Sequence, residues 1–202
     1  VGALKSAIEL NPAEPSYHYT LGVGWLRHPP DLQEAEQSFR RFLGLRPDDT
    51  QGQLHLGYVL LKQKRHAEAR ELLERSLKTG AGTPEAFYYL GLIAQGQNED
   101  ERAIGLFEKS IQLAPTFGHV HVALGSTYLK LKDYTRAQTA LETGAKLTPG
   151  DSKAHYNLAL LYARLKQPER AREEMLIVER LKSEGKARDD EADTVALPPP
   201  SR

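Results

Sequence analysis

Cysteine is absent from all 202 positions. That excludes disulfide staples, thiol nucleophiles and cysteine-ligated metal centres, and it leaves the redox compartment open. An excess of charge of either sign is also missing. Lys plus Arg and Asp plus Glu number 27 each, so no net field favours nucleic acid or an anionic membrane. No apolar run approaches the ~18 residues that a membrane-spanning helix needs. No secretory signal is visible either, although the chain opens on Val1. The compartment is therefore undetermined: cytoplasmic by default, periplasmic or secreted if an upstream signal was removed.

What the chain does contain is a period. Ala35, Ala69, Ala103, Ala137 and Ala171 recur at a constant step of 34 residues. Leu56-Gly57, Leu90-Gly91, Leu124-Gly125 and Leu158-Ala159 keep the same step, with Leu21-Gly22 one residue out of phase. Pro12, Pro47, Ala81, Pro115 and Pro149 close successive periods. A unit this short cannot bury its apolar face alone, so it must stack on copies of itself.

Within each period the apolar residues recur at three and four, which is helical spacing. In the unit beginning at Pro84, Thr83 is an N-cap and Pro84 suits the first helical position. Phe87, Leu90 and Gly91 share one face of a first helix, and the polar stretch Gln95 to Asp100 makes a turn. A second helix carries Ala103, Leu106, Phe107, Ser110 and Leu113 up to Pro115. The same frame predicts five units, at 15–49, 50–83, 84–117, 118–151 and 152–185. The first is one residue longer, with the extra residue placed in the turn His28-Pro29-Pro30-Asp31.

The small residues need a packing reason, because an interior helical glycine costs ~1 kcal/mol relative to alanine. Gly22, Gly57, Gly91 and Gly125 on first helices are expected to face the alanines of the second helices at a close crossing. Phe39, Leu73, Phe107, Leu141 and Met175 are expected to flank it. Leu45, Leu113, Leu147 and Leu181 are expected to seal the lower end of each hairpin, with Thr79 the exception.

These residues resemble the tetratricopeptide repeat, over residues 1 to about 185. The resemblance implies an all-α, right-handed superhelical solenoid of stacked antiparallel helix hairpins. Two departures stand out. The family's bulky aromatic at the fourth position is His18, Gln53, Phe87, His121 and His155 here, and the second unit closes on Ala81. These departures are expected to weaken local packing.

The ends differ from the middle. Ala3, Leu4, Ala7, Ile8 and Leu10, followed by Asn11-Pro12, match a second helix without its first. Residues 1–14 are thus expected to be the remnant of a preceding repeat in a longer array, with an open end suited to self-association. Residues 186–202 lose the period, mix charges and finish in Leu197-Pro198-Pro199-Pro200. That is the composition of a flexible tail ending in polyproline, which could dock on a tyrosine-lined groove.

No catalytic, cofactor-binding or metal site is expected. His18, His121 and His155 share one repeat position, a whole repeat apart, and no HExxH or carboxylate cluster accompanies them. Asp190-Glu191-Ala192-Asp193 spells a helicase tetrapeptide without the phosphate-binding loop it requires, and Gly22-Val23-Gly24 lacks the third glycine of a dinucleotide fingerprint.

The resemblance implies instead a concave surface made by first helices, with positions 2, 5, 6, 9, 12 and 13 facing a ligand. Carried over, these are Tyr19, Val23, Leu26 and Arg27, then Leu54, His55, Tyr58 and Lys62. Tyr88, Tyr89 and Leu92 follow, then Val122, Ser126 and Lys130, then Lys153, Tyr156, Asn157 and Arg164. Tyrosines offer apolar faces with hydroxyls able to bond a peptide backbone, though some can equally be packing between repeats. Tyr17, Tyr128 and Tyr162 are expected in the core. The family's carboxylate clamp for chaperone tails finds only Lys153 in place, which argues against an adaptor role of that kind. The expected function is a non-catalytic protein–protein interaction scaffold binding a peptide or partner segment. Two alternatives are substrate-recognition repeats of a larger enzyme such as a protein glycosyltransferase, and an RNA-binding helical repeat, against which the neutral charge argues.

Overall fold

The computed structural model describes residues 2–27, 30–79 and 82–184. His28 and Pro29 in the first turn, the closing residue Ala81, and the tail with its polyproline end lie outside the described residues. The described residues form helices without strands: α1 Gly2–Leu10, α2 Pro15–Trp25, α3 Leu32–Leu45, α4 Thr50–Lys62, α5 His66–Thr79, α6 Pro84–Gly96, α7 Asp100–Leu113, α8 Gly118–Lys130, α9 Tyr134–Leu147, α10 Ser152–Arg164 and α11 Pro168–Glu184. They fall into two compact units, one ending at Tyr89 and the other starting at Leu90, inside α6.

Helix starts follow the local chemistry. Asp31, Asp49, Asp133 and Asp151 accept backbone N–H groups of the first turns of α3, α4, α9 and α10, satisfying donors a helix cannot pair internally. Thr83 Oγ1 accepts from Ala86 N at 3.2 Å and starts α6 in the same way. The turns inside the hairpins are less predictable. Lys64, Asn98, Lys132 and Lys166, at the same position of the α4–α5, α6–α7, α8–α9 and α10–α11 turns, all adopt φ between 57° and 63°. The next residue's N–H then bonds five residues back, as from Arg65 to Leu60 O and from Asp133 to Tyr128 O, which caps the first helix.

Asparagine tolerates the left-handed region, whereas lysine meets a steric cost there of roughly 1–2 kcal/mol. Glycine escapes that cost but loses more freedom on folding. Lys64→Gly, Lys132→Gly and Lys166→Gly are each expected to raise stability by about 0.5–1 kcal/mol, with Asn98→Gly gaining less. Urea midpoints check this, and a lower midpoint for the three lysine variants would contradict the turn argument.

Packing corrects two expectations. The atoms nearest the first-helix glycines belong to the bulky residues of the second helices, with the Ala69 carbonyl oxygen also 3.5 Å from the Cβ position at Gly57. A Cβ at Gly22 would lie 2.8 Å from Phe39, at Gly57 2.8 Å from Leu73 and at Gly125 2.6 Å from Leu141, and one at Gly91 would collide with the Phe107 ring. Each glycine is therefore the slot that receives a large side chain. Ala35, Ala69, Ala103 and Ala137 are fully enclosed. The second correction concerns Leu45 and Leu113, which are 43% and 50% exposed, whereas Leu147 packs beside Gly118 at the start of α8.

The fourth-position departures prove to be a recurrent hydrogen bond. His18 Nε2 donates to Pro12 O at 2.8 Å, Gln53 Nε2 to Pro47 O at 2.9 Å, His121 Nε2 to Pro115 O at 2.9 Å and His155 Nε2 to Pro149 O at 3.2 Å. A carbonyl only accepts, so each of these nitrogens donates a proton, and His155 also turns Nδ1 to the Glu174 carboxylate at 2.6 Å. Each pair ties a first helix to the chain that leads into it. Phe87 stands where the closing proline is replaced, and it packs over Gly82, whose φ is 68°.

Candidate functional site

In the N-terminal unit the first helices are α2, α4 and the start of α6. There, most of the expected contact residues of the first two repeats turn inward. Tyr19, Leu26, Leu54 and His55 are buried, and Tyr89 of α6 is buried as well. Tyr19 stands edge-on to Phe42 and His55 with ring centroids 5.2 Å apart, and Phe39 lies 5.3 Å from His55. These are core residues, and their assignment to a ligand-facing surface is corrected accordingly. Adjacent first helices lean on one another through these positions, which removes them from solvent.

Their protonation follows from that burial. Loss of hydration pushes the Tyr19 hydroxyl up to about 12 and Tyr89 well above the phenol range. The same cause pulls His55 down to about 4, opposed weakly by the bond from Nδ1 to Gln51 O at 2.7 Å and by Asp49. His55 is thus a neutral ring carrying its proton on Nδ1.

What remains at this unit's surface is Val23, half-buried, with Arg27 and Lys62 exposed. Tyr88 is half-buried and Tyr58 nearly enclosed. The three tyrosines pack together, Tyr89 lying 5.2 Å from Tyr58 and 5.5 Å from Tyr88 by centroid. The Lys62 ammonium lies 5.9 Å from the Tyr58 ring centroid.

In the C-terminal unit Val122 is buried against Gly144. Leu92 and Ser126 are half-buried. Ser126 accepts from Gln95 Nε2 at 2.9 Å, and the same amide reaches Thr127 Oγ1 at 2.9 Å. Gln95 therefore stitches α6 to α8. Lys130 Nζ donates to Asn98 Oδ1 and Asp100 Oδ1, both at 2.8 Å, so this exposed lysine is paired within its own unit.

Among the described first helices, only α10 presents its positions outward as a set. Lys153, Tyr156 and Arg164 are exposed and Asn157 is half-buried. Tyr156 is 46% exposed, and Leu160 beside it is 40% exposed. At the same repeat positions, Leu54 and Tyr58 in the other unit are 1% and 8% exposed. The sequence reading omitted Leu160, although it occupies the ninth position of its repeat and follows Tyr156 by four residues on one helix face. It also missed Gln95, whose twelfth position offered a signal but whose partners lie about thirty residues away.

Two core tyrosines carry a further pattern. Arg136 lies over Tyr128 at 4.4 Å and Arg170 over Tyr162 at 3.9 Å. The hydroxyls donate to Glu108 and Glu142 respectively. Among the described residues, no group of three or more histidines and carboxylates could hold a metal ion, and no helix is long and apolar enough to cross a membrane.

The family profile of the tetratricopeptide repeat matches residues 30–84, 56–116 and 122–185, together more than half of the chain. The chain belongs to the tetratricopeptide repeat family. Its fold, an all-α solenoid of helix hairpins, recurs in solved structures of low sequence identity. A structure reported as the functional characterisation of PilF from Pseudomonas aeruginosa is 19% identical with a TM-score of 0.73, covering 94% of this chain and 85% of that one. MamA from Desulfovibrio magneticus RS-1 is 18% identical with a TM-score of 0.68, covering 86% and 97%. YrrB, described as a tetratricopeptide protein with an unusual peptide-binding site, is 19% identical with a TM-score of 0.62, covering 91% and 94%. No curated protein sequence matches this tetratricopeptide chain significantly.

Proposed function

We propose that this tetratricopeptide chain is a non-catalytic interaction scaffold and that α10 is the surface on which a partner segment lies. The observation that carries the reading is the outward exposure of Tyr156 and Leu160, whose counterparts Leu54 and Tyr58 are enclosed. Such a strip offers apolar area, a phenol hydroxyl and the Asn157 amide to a peptide backbone. Lys153 and Arg164 stand at its two ends, so a partner segment with apolar residues flanked by carboxylates fits best. The scaffold is proposed to extend over the five repeats at 15–185. The inward-facing Tyr19, Leu54, His55 and Tyr89 support it as core.

The test compares partners captured from a lysate by the intact protein with those captured by Tyr156→Ala/Leu160→Ala, identified by mass spectrometry. Both side chains are exposed, so the melting temperature is expected to stay within a degree or two. The partner captured by the wild type is expected to be lost or weakened at least tenfold, since ~1.4 kcal/mol of lost contact is already tenfold. Capture of the same partners in equal yield by the double variant would overturn the assignment to α10.

A further inference from the structure

A second, separate surface lies on α11. The other second helices carry a charged residue directly after their large core residue: Arg40, Glu74, Glu108 and Glu142 recur at a step of 34. The fifth member of that series is Leu176, and it is 57% exposed. Met175 beside it is 37% exposed, where Phe39, Leu73, Phe107 and Leu141 are fully buried. Val178 is the buried residue of α11, and Leu176 stands roughly 200° round the helix from it. The leucine therefore faces away from the core of its own hairpin.

The acids of this series have a task. Tyr128 Oη donates to Glu108 at 3.4 Å and Tyr162 Oη to Glu142 at 2.9 Å, each tyrosine belonging to the following first helix. Leucine cannot accept a hydroxyl, so α11 is not equipped to receive a further hairpin in the way that α7 and α9 do. α11 is also longer, with 17 residues against 14 in each of α3, α5, α7 and α9, which extends its outer face by about one turn.

The charges around Leu176 are unspent. The ion pairs of the last hairpin join Arg170 to Glu142 and His155 to Glu174. Arg172, Glu173, Glu179 and Arg180 are exposed, and their side chains make no hydrogen bond or ion pair among the described residues.

We propose that α11 is a self-association surface, on which α11 of a second copy lies antiparallel about a two-fold axis at Leu176. Reversing one helix about that point sets Leu176 and Met175 against the same two residues of the second copy. It also sets Arg172 opposite Glu179 and Glu173 opposite Arg180, each to within about 1.5 Å along the helix axis, and the symmetry makes each pair twice. Arg172 and Glu179 share the stripe through Leu176, whereas Glu173 and Arg180 share one flank of it. In a two-fold antiparallel pair each flank meets its own equivalent. Opposite charges therefore meet, while Arg172 is kept from Arg180 and Glu173 from Glu179. This self-complementarity of unpaired charges about an exposed leucine is what selects a second copy as the occupant.

Exposed ion pairs contribute little one by one, and one helix pair falls short of the roughly 1,200 Å² of a stable complex. The dimer is thus expected to form at high micromolar concentration and to weaken as salt rises. It uses none of the residues assigned to the partner segment on α10 and stands independently of that assignment.

Sedimentation equilibrium of the full chain from low micromolar to near-millimolar concentration tests this. The mass is expected to rise from 22.6 kDa towards twice that value. Leu176→Glu, which restores the residue held by three other repeats, is expected to melt no lower than wild type and to weaken association at least tenfold. Arg172→Glu is expected to weaken it similarly by setting like charges together, and adding Glu179→Arg to restore it, while Tyr156→Ala leaves it unchanged. The chain has no cysteine, so Leu176→Cys is expected to yield a disulfide-linked dimer on mild oxidation. Arg180→Cys is not, since it lies about 12 Å along the axis from its own copy, beyond disulfide reach. The proposal is overturned if the mass stays at that of one chain throughout, if Leu176→Glu associates as well as wild type, or if the double charge reversal fails to restore what Arg172→Glu loses.

Discussion

Replacing His55 with leucine is expected to flatten the acid limb of the unfolding curve. Burial holds this ring at a pKa of about 4 in the folded chain, against about 6.5 when unfolded. The folded value is the lower one, so between those pH values the unfolded chain binds the extra proton. Stability from the neutral ring is complete above pH 6.5, falls as the pH drops from 6.5 towards 4, and loses nothing further below that. The interval corresponds to roughly 3 kcal/mol, a large part of the stability of an ordinary domain. Urea unfolding at pH 7, 5.5 and 4 measures it. His55→Leu should lose markedly less than wild type over that range, and parallel losses in the two proteins would show that His55 is not the group responsible.

Two helical glycines are expected to respond to alanine with opposite signs. A Cβ at Gly125 of α8 would sit 2.6 Å from Leu141 Cγ and 3.0 Å from the Leu141 backbone nitrogen. A side chain can rotate away, but the backbone of α9 cannot, so Gly125→Ala is expected to destabilise by about 2–3 kcal/mol. Gly105 of α7 has nothing within 4 Å of the same added atom. Gly105→Ala is therefore expected to stabilise by about 0.5–1 kcal/mol through helix propensity and a less disordered unfolded chain. Chemical denaturation of the two variants side by side checks the contrast. If both shifted the midpoint in the same direction, the slot at Gly125 would not be the tight contact described.

The repeat itself was legible because it is carried by residues whose local chemistry is unambiguous. Prolines end helices, aspartates cap them, and apolar residues at three and four declare a helical face. Glycine and alanine at a 34-residue step announced close packing of the hairpin. The partner of that packing was not legible, since nothing local says whether Gly91 faces Ala103 or Phe107. Likewise the histidines at the fourth position looked like losses of an aromatic. Their bond to a proline carbonyl six residues earlier depends on how the chain turns between helices.

The candidate surface was readable only as a set of positions. Repeat position predicts which helix face a residue occupies, and by that rule Tyr19, His55 and Tyr156 were equivalent candidates. In the folded chain, the ring contacts around Tyr19 and His55 enclose them, while Tyr156 and Leu160 remain open. Burial is a property of what neighbouring helices place on top of a residue, and those neighbours lie tens of residues away.

The sequence by itself determined the all-helical repeat and the absence of thiol chemistry, because the first rests on short-range sterics and hydrogen bonding within one unit and the second on composition. Only the tertiary structure decided which first-helix side chains are core and which are surface, and which large residue fills each glycine slot. Those outcomes are set by packing between units, where the identity of a contact comes from side chains far apart along the chain.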